Sequence, residues 1–212
     1  MRFLLLATAL IACLSSHGQT GISQLWESMP APIIPYLDSN SRTDMVNFYN
    51  MGVPAEVVSA MGDTCAIDSL NERYMLVRLN QSVTMQLGLL PTTEGDTLIC
   101  MVKSYKGESE QLGGASESVV TFYDSNWQPL DTGKFLEPQE LSFSQRPDTM
   151  SVERYNEIVR LMDPALQTVT MDASDLSLTI SPSTPFLSKK EKEQIKAIAM
   201  QRKLKWNGKN YK

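Results

Sequence analysis

Histidine is almost missing from this 212-residue chain, and the single copy, His17, lies at the end of an apolar N-terminal run. That run reads as a secretory signal over residues 1–18: Arg2 is a short basic start, Phe3–Ala12 the apolar core, and Ser16 and Gly18 the small residues that a signal peptidase needs. Cleavage before Gln19 removes the only imidazole. Ser-His-Asp and Cys-His catalysis and histidine-held metal are then excluded. Cysteine is scarce as well. Beyond Cys13, inside the signal core, there are only Cys65 and Cys100. In an oxidising compartment these two could pair, and a loop of that length would add on the order of 3–4 kcal/mol. The favoured reading is unpaired, with Cys65 in the loop Gly62–Cys65 and Cys100 a small hydrophobe inside a strand. Nowhere after the signal is there a run of ~18–20 apolar residues, which leaves no transmembrane helix. No glycine-rich phosphate loop precedes a helix, since Gly113-Gly114 falls between strands.

What is present is the composition of an ordinary globular protein, 42% hydrophobic and 20% charged. The expected organisation is one α+β domain over residues 19–212, with a possible two-lobe seam near 134–150. Leu10-Ile11-Ala12-Cys13 offers a second ending for the signal, resembling a lipobox, in which Cys13 would be acylated and anchor a lipoprotein. Either ending exports the chain, to the periplasm or to the outer membrane. Charge is uneven. From Lys189 onward nine Lys and Arg face only Glu191 and Glu193, a net of +7 that leaves −12 on the preceding chain. A basic end on an acidic body reads first as solvated helix surface. Lys189, Lys192, Lys196 and Lys203 are the candidates for contact with anionic envelope polymers or headgroups.

Periodicity divides the chain. Ile22, Leu25, Trp26 and Met29 keep helical spacing up to Pro30. A second helix is expected from Ser41–Asp44 to Gly52, and a third over Ala55–Met61 behind Pro54. After Asn71 the period becomes two. Strands are expected over Tyr74–Leu79, over Val83–Leu89 (half-buried, by its alternation), over Leu98–Tyr105 beyond the turn Thr92–Asp96, and over Ser118–Tyr123 and Trp127–Leu130. Short turns between them imply an antiparallel meander. A weak strand, Glu140–Ser144, lies in the seam. A smaller helix–strand–helix part follows. Ser151 caps a helix carrying Val152, Tyr155, Ile158, Val159 and Met162. Leu166–Met171 and Leu176–Ile180 pair, Ser188–Glu191 is a capping box opening a last helix that buries Ile195, Ile198 and Ala199, and Leu204–Trp206 ends as a strand.

Several stretches taken in order resemble a known family: Leu25-Trp26-Glu27-Ser28-Met29-Pro30, Ile34-Pro35-Tyr36-Leu37, Arg42-Thr43-Asp44-Met45-Val46, Leu87–Pro91, Asp96–Lys103 and Val120–Trp127. The family is that of secreted Bacteroidales proteins known as domain of unknown function 3256. The resemblance spans most of the chain after the signal. It implies export in a Gram-negative bacterium and transfers no activity, cofactor or catalytic residue.

Acid–base work without histidine would fall to carboxylates, lysine or tyrosine. Glu137 with Glu140, and Asp172 with Asp175, are the carboxylate pairs a glycan-cleaving enzyme would need across a cleft, but solvated loop carboxylates explain them. Ser188 beside Lys189 is explained by its cap, and Asp124-Ser125-Asn126 by a turn. Aromatics give the clearest binding signal: Tyr123 and Trp127 beside a turn could stack on a sugar or grip a peptide, against the commoner core role. The sequence therefore reads as an exported envelope protein acting as a binding or assembly module on a glycan or protein, with no nucleic-acid partner, no metal and no cofactor expected. A carboxylate-based enzyme acting on glycans is the alternative.

Overall fold

The computed structural model describes residues 21–107, 116–136, 143–163, 166–184 and 187–212. The expected signal with Cys13 and His17, the glycines 113 and 114, Glu137, Glu140 and most of the weak strand Glu140–Ser144 lie outside the described residues. Two helices come first, α1 (Ile22–Ser28) and α2 (Ser39–Asn50). Asp38 caps α2 by accepting from the Ser41 N–H at 2.8 Å, and Gly52, at φ +69°, supplies the left-handed residue past its end. Seven strands follow in a plain meander: β1 (Glu56–Val58), β2 (Thr64–Leu70), β3 (Tyr74–Arg78), β4 (Val83–Pro91), β5 (Thr97–Lys106), β6 (Ser116–Tyr123) and β7 (Pro129–Leu130). Each pairs antiparallel with its sequence neighbour. Next come α3 (Val152–Leu161), β8 (Leu166–Met171), β9 (Leu178–Ser183), α4 (Lys189–Lys196) and β10 (Arg202–Leu204), with the last three strands forming a small sheet in the order β10-β9-β8. The α+β meander with a smaller helix–strand–helix part is thus the architecture observed.

Alternation along the strands sorts side chains onto two apolar layers. On one face, here the front, Met75, Val77, Met85, Leu87, Leu89, Ile99 and Met101 pack beneath α1 and α2. On the back, Tyr74, Leu90, Cys100, Val102 and Phe122 meet the small sheet, α3 and α4. Covering both faces corrects the half-buried expectation for β4: from Leu87 to Leu90 every residue is buried. Gly88 is required there. A Cβ at that position would lie 2.5 Å from the Met171 sulfur, so its absence is what lets β8 approach.

The small sheet is docked by side chains that replace a missing strand. Gln86 on β4 donates from Nε2 to the Met171 carbonyl and accepts the Met171 N–H at Oε1, both at 3.0 Å. Ser118 on β6 accepts the Val169 N–H at 2.9 Å and shares a 2.7 Å hydroxyl bond with Ser104. The outer edge of β8 is thereby capped, which removes a site for edge pairing. The chain end closes the back layer. Tyr211 donates its hydroxyl to the Leu176 carbonyl at 2.8 Å and sits among the rings of Phe122 and Trp206.

Four further expectations are corrected. The helix over Ala55–Met61 does not form. Val57 and Val58 are β-branched and pair with Cys65 and Thr64, so strand pairing overrides the weak helical spacing. Cys65 is accordingly a buried strand residue and not a loop residue, and it and Cys100 are both free thiols. The second strand of the small sheet begins at Leu178, because Leu176 occupies a turn at φ +56°. The terminal strand lies at Arg202–Leu204, with Trp206 bridging to Tyr211 instead. Arg42, quoted from the sequence only within the resembling stretch Arg42–Val46, is 3% exposed. Its guanidinium donates to the carbonyls of Trp26, Leu37, Glu27 and Met29, collecting the carbonyl end of α1 onto α2.

Candidate functional site

α1 rests on β3 and β4, and α2 on β1 and β2. The front of β5 and β6 continues past the helices. Register places Met101 opposite Thr121, Lys103 opposite Val119 and Tyr105 opposite Glu117, with Ile99 opposite Tyr123. Since side chains two apart share a face, Lys103 and Tyr105 point the same way as buried Met101, and Val119 and Thr121 the same way as Tyr123. Ile99 and Met101 are buried, so the open part of the strip runs from Glu117 and Tyr105 to Val119 and Lys103, roughly 7 Å at ~3.3 Å per residue.

Its chemistry differs from the rest of the front. Tyr105 is 45% and Val119 48% exposed. Lys103 is half-buried between them, beside Met85 on β4. Burial pushes its ammonium below the usual lysine range. Among the described residues no carboxylate lies within ion-pair distance of it; the diagonal neighbour Glu117 is exposed and does not pair with it. The Thr121 hydroxyl is buried and has no hydrogen-bond partner among the described residues. A half-dehydrated cation next to an exposed ring is a group that a ligand would satisfy; the Thr121 hydroxyl lies too deep to be reached from the face.

The residues singled out from sequence fall in different places. Tyr123 lies at one end of this strip, half-buried, with its ring centroid 5.4 Å from that of Trp127. Trp127 does not join it as a stacking surface. Trp127 is 5% exposed and donates its indole N–H to the Leu25 carbonyl at 3.1 Å. Its φ of +62° is costly for a bulky residue, and the turn holds it there: Asp124 accepts the N–H groups of Asn126 and Gln128. The core role therefore explains Trp127. Lys103 went unnoticed because a lone lysine reads as surface; the signal was its place in the apolar alternation Met101-Lys103-Tyr105.

The basic end is arranged on α4 and beyond. Ser188 and Glu191 form the capping box, at 3.3 and 2.8 Å. Lys189 is exposed, Lys196 pairs with Glu193, and Lys203 lies 3.7 Å from Asp175. Such exposed pairs contribute little and leave the charges in water.

Asp172 and Asp175 shape a turn. Asp172 takes the hydroxyl and N–H of Ser174, and Asp175 those of Ser177, and these bonds hold both carboxyls below their ordinary range. A cleft of about 410 Å³ opens beside the start of α1, between Ile22, Gln24, Glu72, Arg73, Leu89 and Pro91. Glu72 is the one carboxylate lining it among the described residues.

Fold and strip together define an α+β protein: a seven-stranded antiparallel meander between a helical layer and a small second sheet. The chain belongs to the family described as protein of unknown function, DUF3256, whose family model matches residues 13–211. It is similar to the solved structure of a domain of an uncharacterized protein from Porphyromonas gingivalis W83, at 19% identity and TM-score 0.68, over 90% of this chain and 96% of that one. That likeness establishes the fold. No curated protein matches the chain.

Proposed function

We propose that this is an exported cell-envelope protein that works as a binding module, and that the front of β5 and β6 is its ligand face. The observation that carries the reading is Lys103. A lysine held half-buried, with no carboxylate in ion-pair distance among the described residues, costs folding stability, and an apolar residue at that position would pack beside Met85 and Met101 at no such cost. A ligand anion would return what the site gives up. Export rests on the N-terminal signal pattern. The glycan-cleaving alternative needs two carboxylates facing each other across a cleft. Asp172 and Asp175 are committed to their turn, and the cleft beside α1 offers Glu72.

The test is retention on a native envelope fraction at low salt. Wild type should be retained, and Tyr105→Ala and Val119→Ser should each be retained at least fivefold less with unchanged melting temperatures. Equal retention of all three proteins would overturn the reading.

A further inference from the structure

We infer that the ligand is an acidic polysaccharide laid along β5 and β6, with a carboxylate at Lys103 and a sugar ring stacked on Tyr105. This rests on the binding reading and names the partner of that same face.

The argument begins with what a sheet face can offer. In the interior of a sheet the backbone N–H and C=O groups are spent on neighbouring strands; β5 is paired on both sides, with β4 and β6. A ligand on the face therefore meets only side chains. An extended peptide lying there would dehydrate its own amides with nothing to replace the water. A sugar chain differs: one face of each ring is a sheet of C–H groups that packs on an aromatic ring, while its hydroxyl edges stay in water or reach side chains.

The side chains present fit that division. Tyr105 gives a ring 45% exposed, and Val119, 48% exposed, continues the apolar floor. Exposed Glu117 can accept a hydrogen bond from a sugar hydroxyl. Lys103, opposite Val119 and diagonal to both Thr121 and Glu117, sits at the centre. Its charge selects a carboxylate, and partial burial makes that pairing stronger than it would be in open water. Glu117 is the competing anion on the same face, and its exposure keeps it solvated.

The probes are tetragalacturonic acid and the same oligomer with its carboxyls methyl-esterified, titrated calorimetrically into the protein at low salt. The acid should bind at least tenfold more tightly than the ester. Lys103→Met should abolish that preference while raising the melting temperature, because the substitution removes a dehydrated charge. Tyr105→Ala should weaken both oligomers. Lys196→Gln, on α4, should change neither. Equal binding of acid and ester, or a preference that survives Lys103→Met, overturns the inference. No binding of either oligomer, with wild type still retained on the envelope fraction through Tyr105, overturns the polysaccharide and leaves the binding face standing. Capture of a polyglutamate peptide in a Lys103-dependent way, without uronate binding, would assign the face to an acidic peptide and would likewise overturn it.

Discussion

Replacing Gln86 with Leu should loosen the small sheet from the large one. Gln86 serves Met171 as a neighbouring strand would, donating to its carbonyl and accepting its N–H at 3.0 Å each, and it also donates to the Tyr74 hydroxyl at 2.6 Å. Leucine keeps most of the volume, so water does not simply refill the gap. Two backbone groups of β8 then lose their partners. An orphaned buried group costs about 1–3 kcal/mol, and this site is partly buried, so the low end applies to each and the expected loss is ~2–3 kcal/mol. For a chain of this size that is a fall of roughly 4–12 °C in melting temperature. Urea unfolding gives the free energy, and amide exchange gives the location: the Met171 N–H should exchange faster and the β4–β5 pairs should not. Gln86→Glu sharpens the test. A carboxylate still accepts the Met171 N–H but repels its carbonyl, so its pKa is raised on folding. The unfolded chain then holds fewer protons than the folded one in the window above about 4.3, and stability falls as pH rises through it. A change below ~0.5 kcal/mol for Gln86→Leu, with Met171 exchange unaltered, would refute the docking account.

Arg42→Ala should cost ~3 kcal/mol or more in urea unfolding, because four buried or half-buried carbonyls lose their donor at once. Leu87→Asp should cost several kcal/mol, since Leu87 is fully buried on the front layer and the new carboxylate has no partner there. An unchanged melting curve would mean the strand faces are wrongly assigned. Cys100, whose thiol burial pushes up to about 12, and Cys65, raised by burial and bonded to the Leu79 carbonyl, should resist alkylation at pH 8 in the native protein and react fully in denaturant. Replacing Lys192, Lys196 and Lys203 together by Gln should leave the melting temperature within about 2 °C, as expected of surface charges. Mass spectrometry of the native N-terminus should find Gln19; an acylated Cys13 would instead make the protein lipid-anchored.

The meander was legible because its turns are short and its alternation clean: Val83–Leu89, the turn at Gly95 and Ser118–Tyr123 all carry local signals. The capping box at Ser188 was legible for the same reason, since its chemistry lies within four residues. β1 and β2 were hidden. β2 has three buried residues in a row, Cys65–Ile67, and its pairing with β3 then slips between Ile67 and Ser69, which breaks the period. β1 is three residues long and is defined by its partner. The candidate face was half visible. Tyr123 stood out as an aromatic near a turn, but Lys103 and Tyr105 join it only through the register of β5 on β6, a long-range fact. The commoner core role named for Trp127 is the one observed, but the partner that holds it was not legible, because the carbonyl that receives its indole belongs to Leu25, far away in the chain.

Hydroxyl-radical footprinting of the protein, free and on its native envelope fraction, tests the central claim most directly. The account predicts that oxidation at Tyr105 and Tyr123 falls on binding, while buried Trp127 and the surface of α4 change little. Protection confined to Lys189–Lys203, or no protection on β5 and β6 at saturating envelope, would contradict it.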